Sequence, residues 1–152
     1  MEKLLQNYIS DENVIVFSGS EEKAVEGIKY FDNMMLEKMG PDECYCVCGV
    51  PKLGNEELAN FHREWNKKRK FRLKIIYQNS FEKEAKMRAQ LPNTEVRITD
   101  LPFGAWFNIA GDYITLKTLR PEPMCLVVKN AEARKSFEQF FKFMWDSARK
   151  VT

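Results

Sequence analysis

The sequence predicts one mixed α/β domain, a sheet of about six to seven strands flanked by helices on both faces. Three observations carry that expectation. Short apolar runs alternate with amphipathic helical patterns up to about residue 90, consecutive strands follow from Thr94, and a Phe-rich helix closes the chain. The 152 residues, 44% of them hydrophobic and 30% charged, suffice for one real core and are wrong for a disordered chain.

Asn13-Val14-Ile15-Val16-Phe17 reads as a strand, ended by Ser18-Gly19-Ser20, which is both a turn and a helix cap. Ala24, Ile28, Phe31, Met35 and Met39 then recur at helical spacing, widened by Val25 and Leu36, until Gly40-Pro41 stops the helix. Glu43 to Gly49 is a second strand, with Cys44, Cys46 and Cys48 on one face. Leu58, Phe61, His62 and Trp65 mark a helix that runs into a basic segment. Arg72 to Tyr77 is a strand, and a short polar helix follows Asn79-Ser80 through about Gln90.

Glu95–Ile98, Ala105–Ile109, Tyr113–Leu116 and Met124–Val128 are four further strands, and Gly111-Asp112 is a hairpin turn. The last helix presents Phe137, Phe140, Phe141, Met144 and Ala148 on one face, with Trp145 beside it. Leu4, Leu5, Tyr8 and Ile9 make residues 1–12 an N-terminal helix or connector stub, and residues 13–152 form the domain. No internal repeat or linker divides it.

Composition excludes several classes. No apolar run approaches the roughly 20 residues that cross a bilayer. The first residues lack a signal-peptide pattern. The expected location is therefore the reducing cytoplasm, with no membrane partner. A net charge of +2 does not by itself imply nucleic acid. Same-face neighbours on a strand lie about 7 Å apart, too far for an unstrained disulfide, so the three cysteines read as small side chains on a buried face. A metal site would need Cys125 or His62 as a further ligand from elsewhere in the fold; none is expected, and no cofactor is called for.

Candidate chemistry is sparse. His62 is the only histidine, flanking a packed helix face, so histidine catalysis is not expected. Asp42-Glu43 and Glu56-Glu57 lie near turns or helix starts, where the helix dipole favours acids. The segment from Arg63 to Arg72 concentrates Lys67, Lys68, Arg69 and Lys70 with interleaved aromatics. It is either a solvated helix end that complements the dipole or a phosphate-contact surface for nucleic acid. Backbone N–H groups at Ser18, Gly19, Ser20 and Gly49 could hold an anion where strands give way to helices. Trp106, Phe107 and Asn108 would add an aromatic wall and a hydrogen-bonding group.

Four phrases carry a resemblance: Val14-Ile15-Val16-Phe17-Ser18-Gly19, Cys46-Val47-Cys48-Gly49, Phe61-His62-Arg63-Glu64-Trp65 running into Lys67-Lys68-Arg69, and Phe140-Phe141-Lys142-Phe143-Met144-Trp145. In order and spacing, from about Asn13 to Lys150, they resemble the phospholipase-D-like domain that follows the winged helix in archaeal TrmB-type transcription regulators. The resemblance implies a phospholipase-D-like α/β fold, often dimeric, associated with effector sensing. Phosphodiesterases of this fold carry His-x-Lys followed by Asp on the segment that here reads Gly104 to Asp112, which has neither His nor Lys. Without the histidine nucleophile and its electrostatic clamp that chemistry should be absent. No winged helix precedes Asn13, so DNA contact would come from a separate domain or weakly from the basic segment.

The expectation is thus a non-catalytic sensing or dimerisation domain of a TrmB-like regulator or a stand-alone relative. It forms a homodimer, with Phe143 a candidate contact, and takes a small-molecule or anionic effector near Ser18, Gly19, Ser20, Gly49, Trp106 and Asn108. The alternative is a nucleic-acid-binding protein that uses Arg63, Lys67, Lys68, Arg69, Lys70 and Arg72.

Overall fold

The computed structural model describes residues 13–151. Its centre is a mixed eight-stranded sheet: β1 (Val14–Ser18), β2 (Cys44–Val50), β3 (Arg72–Gln78), β4 (Thr94–Thr99), β5 (Trp106–Ala110), β6 (Tyr113–Thr118), β7 (Met124–Lys129) and β8 (Arg149–Lys150). The strands lie in the order β1-β7-β6-β5-β2-β3-β4-β8. β2, β3 and β4 run parallel, and all other neighbours are antiparallel. Parallel neighbours need crossovers, which α2 (Glu56–Lys68) and α3 (Glu82–Arg88) supply after β2 and β3. The helix α1 (Glu21–Lys38) follows β1, and α4 (Ala131–Ser147) follows β7.

Local chemistry sets the helix ends. Ser20 Oγ accepts from the Lys23 amide at 3.1 Å, and Glu21 and Glu22 occupy the positive first turn of α1. Asn55 and Asn130 cap α2 and α4 through the amides of Leu58 and Ala133, at 2.9 and 3.0 Å. In α1 the expected stripe buries Ala24, Val25, Ile28, Phe31 and Met35. Gly27 lies on the same face because a Cβ there would stand 2.5–2.8 Å from Phe17.

The sheet separates two cores. On one face α1, α2 and α3 cover Tyr45, Leu73, Ile75, Trp106 and Val127. On the other, α4 alone covers Cys48, Ile76, Ile109 and Ile114 with Phe141, and Phe137, Met144 and Trp145 pack around them. Apolar burial of such side chains contributes about 1.5–3 kcal/mol each.

Three sequence expectations need adjustment. The sheet has an eighth strand, whose two residues pair with Arg97 and Ile98 but are too few to leave a periodic signal. Phe140 was expected on the packed face of the last helix, yet it is 58% exposed. The packed stripe centres on Phe141, and Phe140 flanks it edge-on to Phe137 at 5.8 Å. Cys44 and Cys46 are only half-buried, since one helix covers that face, while Cys48 is buried. The N-terminal helix or connector of residues 1–12 lies outside the described residues. Among the described residues, no helix is long and apolar enough to cross a membrane.

Candidate functional site

Between the sheet and α2 lies a cavity of about 440 Å³, a normal size for a small-ligand site. β2 and β3 contribute Tyr45, Val47, Val50, Ile75 and Tyr77; α1 contributes Asp32, α2 His62 and Trp65, and β5 and β6 Trp106, Asn108 and Lys117. Alternation along each strand selects these residues, because Trp106 and Asn108 share one face and the hairpin register sets Lys117 opposite Trp106 and Thr115 opposite Asn108.

Asp32 is the hub of a buried polar network. Its carboxylate accepts hydrogen bonds from Tyr45 OH and, at 2.9 Å, from His62 Nε2. Its main-chain oxygen accepts from Trp65 Nε1 at 2.9 Å. Tyr45 OH in turn accepts from Asn108 Nδ2, so the network joins α1, β2, α2 and β5. Burial, reinforced by the neighbouring Asp32, holds the Tyr45 phenol well above the usual tyrosine range. The phenol ring stacks on Phe71 at 5.8 Å and meets Trp65 edge-on at 5.3 Å. A buried carboxylate is tolerated only when its lone pairs are occupied, as they are here.

Lys117 is different. It is 3% exposed, and among the described residues no hydrogen bond or ion pair reaches its ammonium. Nζ stands 5.3 Å from the centre of the Trp106 ring. Burial pushes its pKa down to about 8, while the charges of Asp32 and Cys125 pull the other way. Beside it, Asn108 Oδ1 is buried with no hydrogen-bond partner. Thr115 Oγ1, directly opposite Asn108 on β6, is a second such atom, so the ammonium stands beside an orphan acceptor and an orphan hydroxyl.

Polar contacts tie down the Leu53–Asn55 edge of the cavity. Arg120 pairs with Glu21 at 2.6 Å and donates to the Leu53 and Gly54 carbonyls at 3.3 Å, while Asn55 donates to Glu21 at 2.9 Å. The hydrogen bonds from Arg120 and Asn55 hold the Glu21 carboxyl below its usual range. Exposed pairs of this kind contribute little to stability.

The structure places Trp106 and Asn108 in this cavity, and brings none of the other expected ligand residues to it. Ser18, Gly19 and Ser20 sit at the far end of β1, with Ser20 committed to capping α1. Gly49 forms an irregularity in β2 at φ +89, with the Phe103 ring 3.0 Å from where its Cβ would be, and its carbonyl accepts from Gln78 at 2.9 Å. Of the basic segment, Arg63 lines the cavity and Lys67 pairs with Glu64 at 3.0 Å. Arg69 is a structural clamp, donating to the Phe71 and Pro92 carbonyls at 2.8 and 3.1 Å and to Thr94 Oγ1. Lys68 and Lys70 are exposed, and Arg72 reaches the Asp42 carbonyl at 3.4 Å.

Sequence reasoning missed Asp32, Tyr45 and Lys117, and it read His62 as a flank of the core rather than a cavity wall. The hairpin register was the available signal for Lys117.

Cys44, Cys46 and Cys48 face away from this cavity. Cys46 and Cys48 belong to the α4 side, whereas Cys125 and His62 lie on the opposite face, so the sheet separates the ligands that a metal would need. Among the described residues no group of three or more His, Cys, Asp or Glu side chains is placed to hold a metal. Cys44 and Cys46 Sγ atoms lie 3.9 Å apart in a groove with Arg72, Lys74 and Lys142. The hydrogen bond from Cys46 and the charges of Arg72 and Lys74 bring the Cys44 thiol down to about 7, and the same contact together with burial pushes Cys46 up.

No protein-family model matches the chain, and no curated protein matches it. Solved structures do. TrmBL2, an archaeal chromatin protein whose structure shows a novel mode of DNA binding, superposes with a TM-score of 0.66 at 17% identity. That match covers 98% of this chain and 59% of TrmBL2. NucT from Helicobacter pylori gives a TM-score of 0.69 at 11% identity, over 90% of this chain and 98% of its own. Nuc from Salmonella typhimurium, a phospholipase D family member, gives 0.61 at 12% identity, over 90% and 96%. At these identities the likeness concerns architecture, and by that measure the chain has the phospholipase-D-like fold.

Proposed function

We propose that this domain is non-catalytic and senses a small effector in the cavity beneath α2, within a TrmB-like regulator or a stand-alone relative of one. The observation that carries the reading is Lys117, a buried lysine whose ammonium lies over the Trp106 ring in the wall of a cavity large enough for a small molecule. Such a group costs stability in the empty protein, and a bound ligand is the direct means of recovering it. The absence of His and Lys from the Gly104 to Asp112 segment, which forms β5 and its turn, supports the non-catalytic part. Dimerisation through the outer face of α4, where Phe143 is 72% exposed, belongs to the same reading.

Trp65 and Trp106 line the cavity, so ligand entry should change tryptophan emission. Titration with the fluorescent probe anilinonaphthalene sulfonate should quench them, and Ala59→Trp, which sets an indole at the exposed rim of the cavity, should weaken probe binding. Unchanged binding to that variant would refute the assignment. Turnover of bis-p-nitrophenyl phosphate that a point substitution abolishes would refute the non-catalytic part.

A second reading has one supporting observation. TrmBL2 is a DNA-binding chromatin protein by its description, and Lys67, Lys68 and Lys70 are exposed here. Anisotropy of labelled duplex DNA at about 50 and 200 mM salt tests it. Binding that falls steeply with salt and is weakened by Lys68→Glu with Lys70→Glu would favour it. Arg69 is unsuited to the test because its clamp holds the β4 approach.

A further inference from the structure

We infer that the cavity takes a small hydroxy acid with an apolar body, its single carboxylate on Lys117 and its hydroxyl donating to Asn108 Oδ1. The inference rests on the sensing role proposed above and adds the ligand's chemistry. It starts from hydrogen-bonding capacity. Tyr45 OH donates to Asp32 and so must accept from Asn108, which fixes the Asn108 NH2 toward the tyrosine and leaves Oδ1 as an unfilled acceptor. Lys117 offers three donors and no acceptor, and its ammonium lies beside the Trp106 ring in the cavity wall. A ligand with an acceptor for Lys117 and a donor for Asn108 would meet both groups.

Register gives the spacing between them. Trp106 pairs with Lys117 and Asn108 with Thr115, so Asn108 and Lys117 are diagonal same-face neighbours, roughly 7–8 Å apart between backbones. Side chains that converge from that separation suit adjacent polar groups on one small molecule, such as a carboxylate and its α-hydroxyl.

Charge gives the number of negative groups. Four cationic side chains against three acidic ones line the cavity, a net charge of +1 when His62 is neutral. One carboxylate balances it. A phosphate dianion would leave a charge uncompensated in a low-dielectric site, which is strongly unfavourable. Val47, Val50, Leu53, Ile75, Tyr77 and Phe81 add an apolar wall that suits an apolar body.

The test uses the whole chain and four probes with one phenyl body: 3-phenyllactate, 3-phenylpropionate, 3-phenylpropanol and 3-phenylpropylamine, titrated calorimetrically. 3-Phenylpropionate should bind about tenfold tighter than the alcohol, and 3-phenyllactate several-fold tighter again, with the amine weakest. Lys117→Met should erase the acid's advantage over the alcohol. Should that variant not fold, the ranking of the probes on the unmodified protein decides alone. Equal or tighter binding of the alcohol or amine would overturn the ligand class and leave an apolar sensing cavity standing. If none of the four probes bound, and anilinonaphthalene sulfonate bound equally well to Ala59→Trp, both the class and the sensing site would fall.

Discussion

Replacing Lys117 by methionine should make the empty protein more stable at neutral pH, the reverse of the usual result for a change at a buried position. The pKa of the lysine falls from the ordinary 10.5 to about 8 in the folded chain. At roughly 1.4 kcal/mol per unit, the buried charge costs about 3 kcal/mol. The substitution also removes the ammonium from the face of Trp106, a contact worth about 1–2 kcal/mol where water is excluded. That contact is already contained in the shift, and methionine fills a similar volume, so the gain at pH 7 is about 3 kcal/mol. Its pH dependence identifies the cause. Below pH 8 lysine is protonated in both states and the penalty is fully present. From about 8 to 10.5 the unfolded chain still binds the proton while the folded chain has released it, so the wild-type protein gains stability as pH rises. The advantage of methionine should therefore shrink by about 2 kcal/mol between pH 7 and 9.5 and fade toward zero by about pH 10.5. Urea unfolding of both proteins at the two pH values measures it. A wild type at least as stable as the variant at pH 7, or a difference that ignores pH, would refute the account of Lys117 as an unsatisfied buried cation.

Three other expectations come from the same geometry. Gly27→Ala, which in an open helix would stabilise by up to about 1 kcal/mol, should instead destabilise by about 1–3 kcal/mol, because its Cβ meets Phe17; thermal unfolding checks the sign. Asp32→Ala removes the acceptor for Tyr45 and His62 together and should cost about 2–4 kcal/mol, read as a lower urea midpoint. Cys44 should be the first of the four cysteines alkylated by iodoacetamide, with a rate that rises through about pH 7 and a modification that Cys44→Ser abolishes.

Much of the architecture was legible in the sequence because each long element carries its own period. The α1 stripe, the seven longer strands and the Gly111-Asp112 hairpin all follow from local chemistry. β8 was not, since two residues have no period, and its pairing with β4 depends on where α4 ends. The burial of Phe140 was misjudged because a stripe's centre is fixed by the sheet it meets. For the candidate site, Trp106 and Asn108 could be named from the strand pattern. Lys117 reads locally as a solvated strand end, although the two-residue hairpin already places it opposite Trp106. Asp32 lies within an apolar stripe and becomes explicable only once Tyr45, Trp65 and His62 converge on it from other elements. Long-range convergence of that kind has no local signature.

Helix α2 faces two ways at once. His62 and Trp65 point to the cavity, and Lys67 and Lys68 on the next turn point to solvent. A helix of this length shifts as a rod, so the inner wall and the outer charge pattern cannot be repositioned independently. Reciprocity then applies: if a molecule in the cavity alters affinity for a polyanion outside, the polyanion must alter affinity for that molecule by the same factor.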